Sequence, residues 1–216
     1  MMRDVMRLDL APYRSSEHFH QLKAALPRAK NYFSERTGID KDPTLGVGSN
    51  TFRAFRGIEK PSLMFRRWAS EVIRSKQFQS EILAASTQPM FETVHDWLNQ
   101  TLEHHWKSEC GQQLSLAHRY KLVDLLVKRL CRLELPDDRM NANLVMHGHV
   151  PIDSLVLRAL DHLFSGAFLT DGRAMGHIKT EQAYRFYQDP ITNLMLELDA
   201  PALYFDFYAW NVTKDA

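Results

Sequence analysis

Residues able to do chemistry are scattered along this chain, and few sit at a spacing that a reaction demands. His147-Gly148-His149 lies shortly before Asp153, and together they could supply part of a metal site. Zinc sites usually need four ligands at recognisable spacings, and neither His-Glu-x-x-His nor paired Cys-x-x-Cys occurs. His18/His20 and His104/His105, with His162 and His177 apart, read as surface or capping residues, so no metal and no cofactor is expected. Ser154 and Ser165 have histidines nearby but no Gly-x-Ser-x-Gly elbow. Gly46-Val47-Gly48 lacks the rest of a phosphate loop and reads as a flexible turn. Cys110 and Cys131 are too few for a disulfide framework and read as small buried residues on helices. That leaves Asp153. It follows Val150-Pro151-Ile152 and precedes the apolar run Leu155–Leu160, where it can cap a helix N-terminus.

The elements that must position these residues are helical. Ser16 to Phe33 reads as a helix that Pro27 kinks or shortens. Pro61 opens a long helix running towards Ala84, with Leu63, Met64, Trp68, Val72 and Ile73 at helical spacing. Phe91, Val94, Leu98 and Leu102 mark another. Ser115 to Leu133 is the clearest amphipathic helix, and Lys128 on it reads as a solvated lysine beside Arg129. Asp137 to Val150 reads as a polar connection and Gly166 to Gly176 as a loop. Thr180–Tyr187, Pro190–Leu198 and Pro201–Trp210 read as three short helices, with Leu203–Tyr208 competing as a strand. The expected fold is all-α: a compact multi-helix domain, with residues 1–57 as a helical arm and irregular loop and 58–216 as the helical core.

With 216 residues, 44% hydrophobic and 25% charged, the chain can bury a core, and wholesale disorder is excluded. Its apolar runs are too short for a membrane span, and the charged N-terminal stretch carries no secretory signal, which favours the cytoplasm. Net charge is only +1 but unevenly spread. Arg53, Arg56, Arg66, Arg67, Arg74 and Lys76 make a basic stretch, whereas residues 181 to 216 are mainly acidic. Such a stretch offers DNA phosphates a face, and equally offers a protein partner a complementary patch. An apolar helix face fits an interior and an interface alike, so oligomeric state stays open.

The segment His147 to Phe164, HGHVPIDSLVLRALDHLF, resembles the stretch around the catalytic aspartate of helix-hairpin-helix base-excision DNA glycosylases, in the 8-oxoguanine glycosylase-like branch. The tail Leu203–Trp210 looks like the acidic-aromatic closing helix of some of these enzymes. The resemblance covers about the last third of the chain. It implies that Asp153 is the catalytic carboxylate, stabilising positive charge on the sugar, with Pro151 shaping the approach and Arg158 on the following helix. It makes Lys128 the candidate Schiff-base lysine. The family's glycine-containing hairpin has no counterpart upstream of Asp153, and Lys128 lies further before Asp153 than the family spacing, which points to a monofunctional or inactive version rather than a lyase. The alternative is a non-catalytic helical subunit of an assembly that handles nucleic acid, anchored through aromatics and arginines.

Overall fold

The computed structural model describes residues 10–38, 44–55, 57–165, 167–168 and 175–212. Its α-helices are α1 (Ser16–Ser34), α2 (Pro61–Arg74), α3 (Lys76–Ala84), α4 (Gln88–Cys110), α5 (Leu116–Leu130), α6 (Asp138–His147), α7 (Ser154–Leu163), α8 (Glu181–Glu197) and α9 (Leu203–Val212). Among the described residues no sheet forms; the only β pairings are isolated bridges, Arg14 with Phe164 and Thr37 with Leu133. The fold is all-α.

Several boundaries differ from the sequence expectation, each for a local reason. Pro27 and Pro190 do not end their helices: α1 and α8 run through them. Proline removes one intrahelical hydrogen bond, but Leu22, Ala29 and Phe33 on α1 are buried, as are Ile191, Leu194 and Met195 on α8. The helix expected from Pro61 to Ala84 breaks at Ser75, whose extended backbone and side chain, accepting from Phe78 N at 3.3 Å, start α3 afresh. The expected polar connection from Asp137 holds α6, capped by Asp137 and buried through Met140, Asn141 and Leu144. Leu203–Tyr208 is helix, not strand.

Two apolar clusters make the core. One gathers α2, α3, α4 and α6 with most of α5. The other gathers α7, α8 and α9 with Leu22 of α1 and the first turns of α5, including Tyr120. Helix α5 therefore runs along the seam. Tyr120, Asp124 and Lys128, spaced four apart, fall on one stripe of it. Helix α1 packs chiefly on α9, so the segment expected to be an arm is built into the core.

Candidate functional site

Lys128 and Asp206 face one another across the α5–α9 contact. The Lys128 ammonium donates to Asp206 Oδ2, and their side chains are 18% and 2% exposed. Lys128 is thus not the solvated lysine that the sequence suggested: the aspartate of α9, distant in sequence, covers it. The pair borders a cavity of about 400 Å³ walled by Tyr32, Phe207 and Trp210, with Arg129 and Arg132 at its edge. Lys128 Nζ lies 5.7 Å from the Trp210 ring centroid, and the Arg132 guanidinium stacks 3.8 Å above Tyr32. Gly46 also lines the cavity; its φ of +82° suits glycine, and a side chain there would run into Arg129 Cβ at 2.6 Å. The Gly46-Val47-Gly48 turn is therefore a packing element.

Asp153 does not line this cavity and reaches the Lys128–Asp206 pair only as a weak electrostatic neighbour. Burial works against the charge on Lys128, but Asp206 outweighs it, with smaller help from Tyr32 and Asp153, and holds the ammonium above its ordinary pKa. Burial raises the Asp206 carboxyl; Lys128 opposes the rise and Asp153 adds to it. Asp153 caps α7, one carboxylate oxygen accepting from Leu155 N at 2.9 Å and Val156 N at 3.0 Å. The capping role inferred from sequence is present, and the carboxylate sits within electrostatic reach of Lys128.

The α5–α6 turn explains what replaces a glycine hairpin. Asn141 Nδ2 reaches the carbonyls of Leu130, Cys131 and Leu133 at 2.9–3.3 Å, locking the turn from below. The amides of Cys131, Arg132, Leu133 and Glu134 are all spent on protein carbonyls. The side chains on this turn are bound within the protein too: Arg132 pairs with Glu35 at 2.9 Å, and Arg129 donates to Thr37 Oγ1 at 3.3 Å.

The expected DNA face is placed elsewhere. None of Arg53, Arg66, Arg67, Arg74 and Lys76 lines the Lys128 cavity, and Arg56 lies outside the described residues. Arg67, itself exposed, pairs with Glu109 at 3.1 Å, and Arg66 folds back to Ser62 O at 3.0 Å; Arg53, Arg74 and Lys76 are exposed as well. Sequence reasoning did not select Asp206, Trp210, Tyr32, Arg129 or Arg132. The acidic-aromatic pattern of Leu203–Trp210 was the available signal for the first two; nothing local marks Tyr32.

No family model, no curated protein and no solved structure matches this chain. Function must be argued from the geometry.

A second polar cluster lies deeper along the same seam. Glu92 and His95 project from α4, Asp124 from α5, His149 from the segment before α7 and Tyr184 from α8. His149 Nε2 meets Glu92 Oε1 at 2.7 Å, and its Nδ1 meets the Tyr184 hydroxyl at 3.1 Å. Tyr184 donates to Asp124 Oδ2 at 2.7 Å, and Asp124 Oδ1 holds His95 Nε2 at 2.8 Å. Burial drives Asp124 up to about 7 and His95 down to about 4. Burial would raise Glu92 too, but the bond and charge of His149 outweigh it and bring Glu92 to about 2. Among the described residues, no helix is long and apolar enough to cross a membrane.

Proposed function

We propose that this protein binds DNA and excises a modified base, with the Lys128 pocket as the active site. The observation that carries the reading is a buried lysine–aspartate pair bordering an aromatic-walled cavity, with Asp153 close enough to share its electrostatics. A cavity of about 400 Å³ has the size of an ordinary ligand pocket and has room for a base turned out of the stack. Trp210, Phe207 and Tyr32 offer faces against which such a base stacks.

The chemistry follows from the pair. The Lys128 ammonium, held charged by Asp206, donates a hydrogen bond to the departing base, and a water molecule attacks C1′ of the sugar. The bond from C1′ to the base breaks, its electron pair leaves with the base, and the attacking water loses one proton, which ends on the departing base. Asp153 stabilises the positive charge that develops on the sugar. Arg129 and Arg132 hold flanking phosphates. In this reading the chemistry is hydrolysis, and Lys128 acts as a charge and not as a nucleophile.

The test is base release from duplex and single-stranded oligonucleotides carrying a panel of modified bases, with borohydride added to trap any Schiff base. Wild type should release at least one base and form no trapped adduct; Lys128→Ala should slow release. Asp153→Asn should lose release while keeping thermal stability, because asparagine still caps α7. Asp153→Ala should lose release and also cost about 1 kcal/mol of stability. Wild-type protein that releases nothing from any substrate ends the enzyme reading and leaves the helical-subunit alternative.

A further inference from the structure

We propose that Glu92, His95 and His149 form a binding site for a divalent transition-metal ion of the zinc class. The proposal is independent of any chemistry at Lys128. One carboxylate oxygen and one ring nitrogen from each histidine lie within 4.8 Å of one another. Glu92 and His95 are three apart on α4, so one helix face presents both, and His149 arrives from the segment leading to α7.

Proton counting shows which donors a cation would meet when Asp124 is ionised. With Asp124 as a carboxylate, both of its oxygens accept: Oδ2 from the Tyr184 hydroxyl and Oδ1 from His95 Nε2. Tyr184 has one proton and spends it on Asp124. Its oxygen therefore accepts from His149 Nδ1–H at 3.1 Å. In a neutral imidazole this leaves the His149 Nε2 lone pair aimed at the Glu92 carboxylate, 2.7 Å away. Two lone pairs at that distance repel unless a cation lies between or beside them: either a proton on Nε2 or a metal ion bridging the donors.

The surroundings favour the metal. Asp124 orients both imidazoles, His95 directly through Nε2 and His149 through Tyr184, as carboxylates do behind metal-bound histidines. The ligating nitrogen of His95 is then Nδ1, which the Asn99 amide meets at 3.3 Å and must release to the ion. Gln188 clamps the segment carrying His149 through both Val150 backbone groups, at 3.2 and 2.6 Å. His95 and His149 are 1% and 8% exposed, while the Glu92 side chain is 21% exposed and gives a path for entry. Two imidazoles with a carboxylate are a borderline donor set that suits Zn(II), Co(II) or Ni(II) over Mg(II) or Ca(II). A bound ion would tie α4 to the segment that carries Asp153.

The experiment is titration of the chelator-treated full chain with Co(II), followed by its visible absorption, and with Zn(II) against a competing chelator. One Co(II) per chain with histidine-type d–d bands, displaced by Zn(II), is expected. Glu92→Gln and His149→Gln should each abolish the spectrum, and Tyr184→Phe should weaken Zn(II) binding about 10–100-fold by freeing the His149 ring. Circular dichroism of each apo variant separates lost ligation from lost folding. His104→Ala, on the exposed side of α4, should bind as wild type does. Absence of saturable binding in folded wild type overturns the proposal and makes His149 and Glu92 an imidazolium–carboxylate pair. Binding that survives both ligand substitutions in folded variants overturns it too, because the ion then sits elsewhere.

Discussion

Asp124 and Lys128 are one turn apart on α5, yet they lead into opposite surroundings. Asp124 heads into a sealed network where His95, Tyr184 and His149 satisfy one another and Glu92 alone touches water. Lys128 heads into an open cavity where a single aspartate meets it and aromatic rings surround the rest. The difference lies in what packs over the helix. Around Asp124, α4, α8 and the segment before α7 converge, whereas beside Lys128 the neighbours are α9 and the flanks of α1. A sealed polar group must find all its partners within the protein; an open one can leave capacity for a ligand. One helix stripe thus carries both a sealed polar network and a paired ammonium beside a cavity.

Breaking the Lys128–Asp206 pair should give the largest effect on folding. Lys128→Ala strands a carboxylate that is 2% exposed, and removing one partner of a buried pair typically costs about 3–5 kcal/mol. Protonation of Asp206, already favoured by burial, brings the expected loss to about 3 kcal/mol at neutral pH. Lys128→Met with Asp206→Leu should recover most of it, as apolar replacements of buried pairs do. Urea denaturation of the three proteins checks this. Recovery in the double variant, with no recovery of base release, would separate the pair's chemistry from its structural role. If Lys128→Ala is as stable as wild type, the pair is open to water and the contrast with the Asp124 side fails.

The next effect concerns DNA. If the open side of α5 is the one that meets nucleic acid, Arg129→Ala with Arg132→Ala should weaken duplex binding and lower the slope of log affinity against log salt by about 2. Arg66→Ala, Arg67→Ala and Arg74→Ala together should change that slope less. All three lie away from the Lys128 cavity, so their loss removes none of the contacts at its edge. Fluorescence anisotropy at several salt concentrations measures both. The reverse ranking would move the DNA face to α2, away from the Lys128 cavity.

These comparisons also show what the sequence made legible. Periodicity revealed the all-α class and the α5 stripe, because apolar spacing on a helix is local information. The Asp153 cap was legible for the same reason: one residue type stands before one apolar run. The partners of Lys128 were not. Asp206 lies on another helix, and nothing local to Lys128 states that α9 will cover it; the lysine therefore read as solvated. His149 stood out beside His147 and Asp153, but its neighbours Glu92 and His95 were missed, because they are a short pair on α4, far from it in sequence. The prolines misled in the other direction. Pro27 and Pro190 carry a strong local signal for breaking a helix, and burial of the residues around them overrode it.

The smallest effect tests α5 at its first turn, away from both sites. His118 packs on Phe55, ring centroids 4.7 Å apart, and its Nδ1 lies 2.8 Å from the hydroxyl of Ser115. Burial, then the charge of Lys121, lowers its pKa. A histidine depressed in the folded state resists protonation while the unfolded chain takes up a proton near pH 6.5. Its contribution is therefore complete above that pH and declines as the pH falls through about 6.5 towards the folded value. His118→Gln removes this titration, so its stability relative to wild type should improve on acidification from pH 7.5 to 5. Thermal melts of the two proteins across that range give the difference directly, because every other histidine is common to both. A difference independent of pH would mean that His118 titrates alike in both states. The acid sensitivity of the fold would then belong to other groups, the sealed cluster among them.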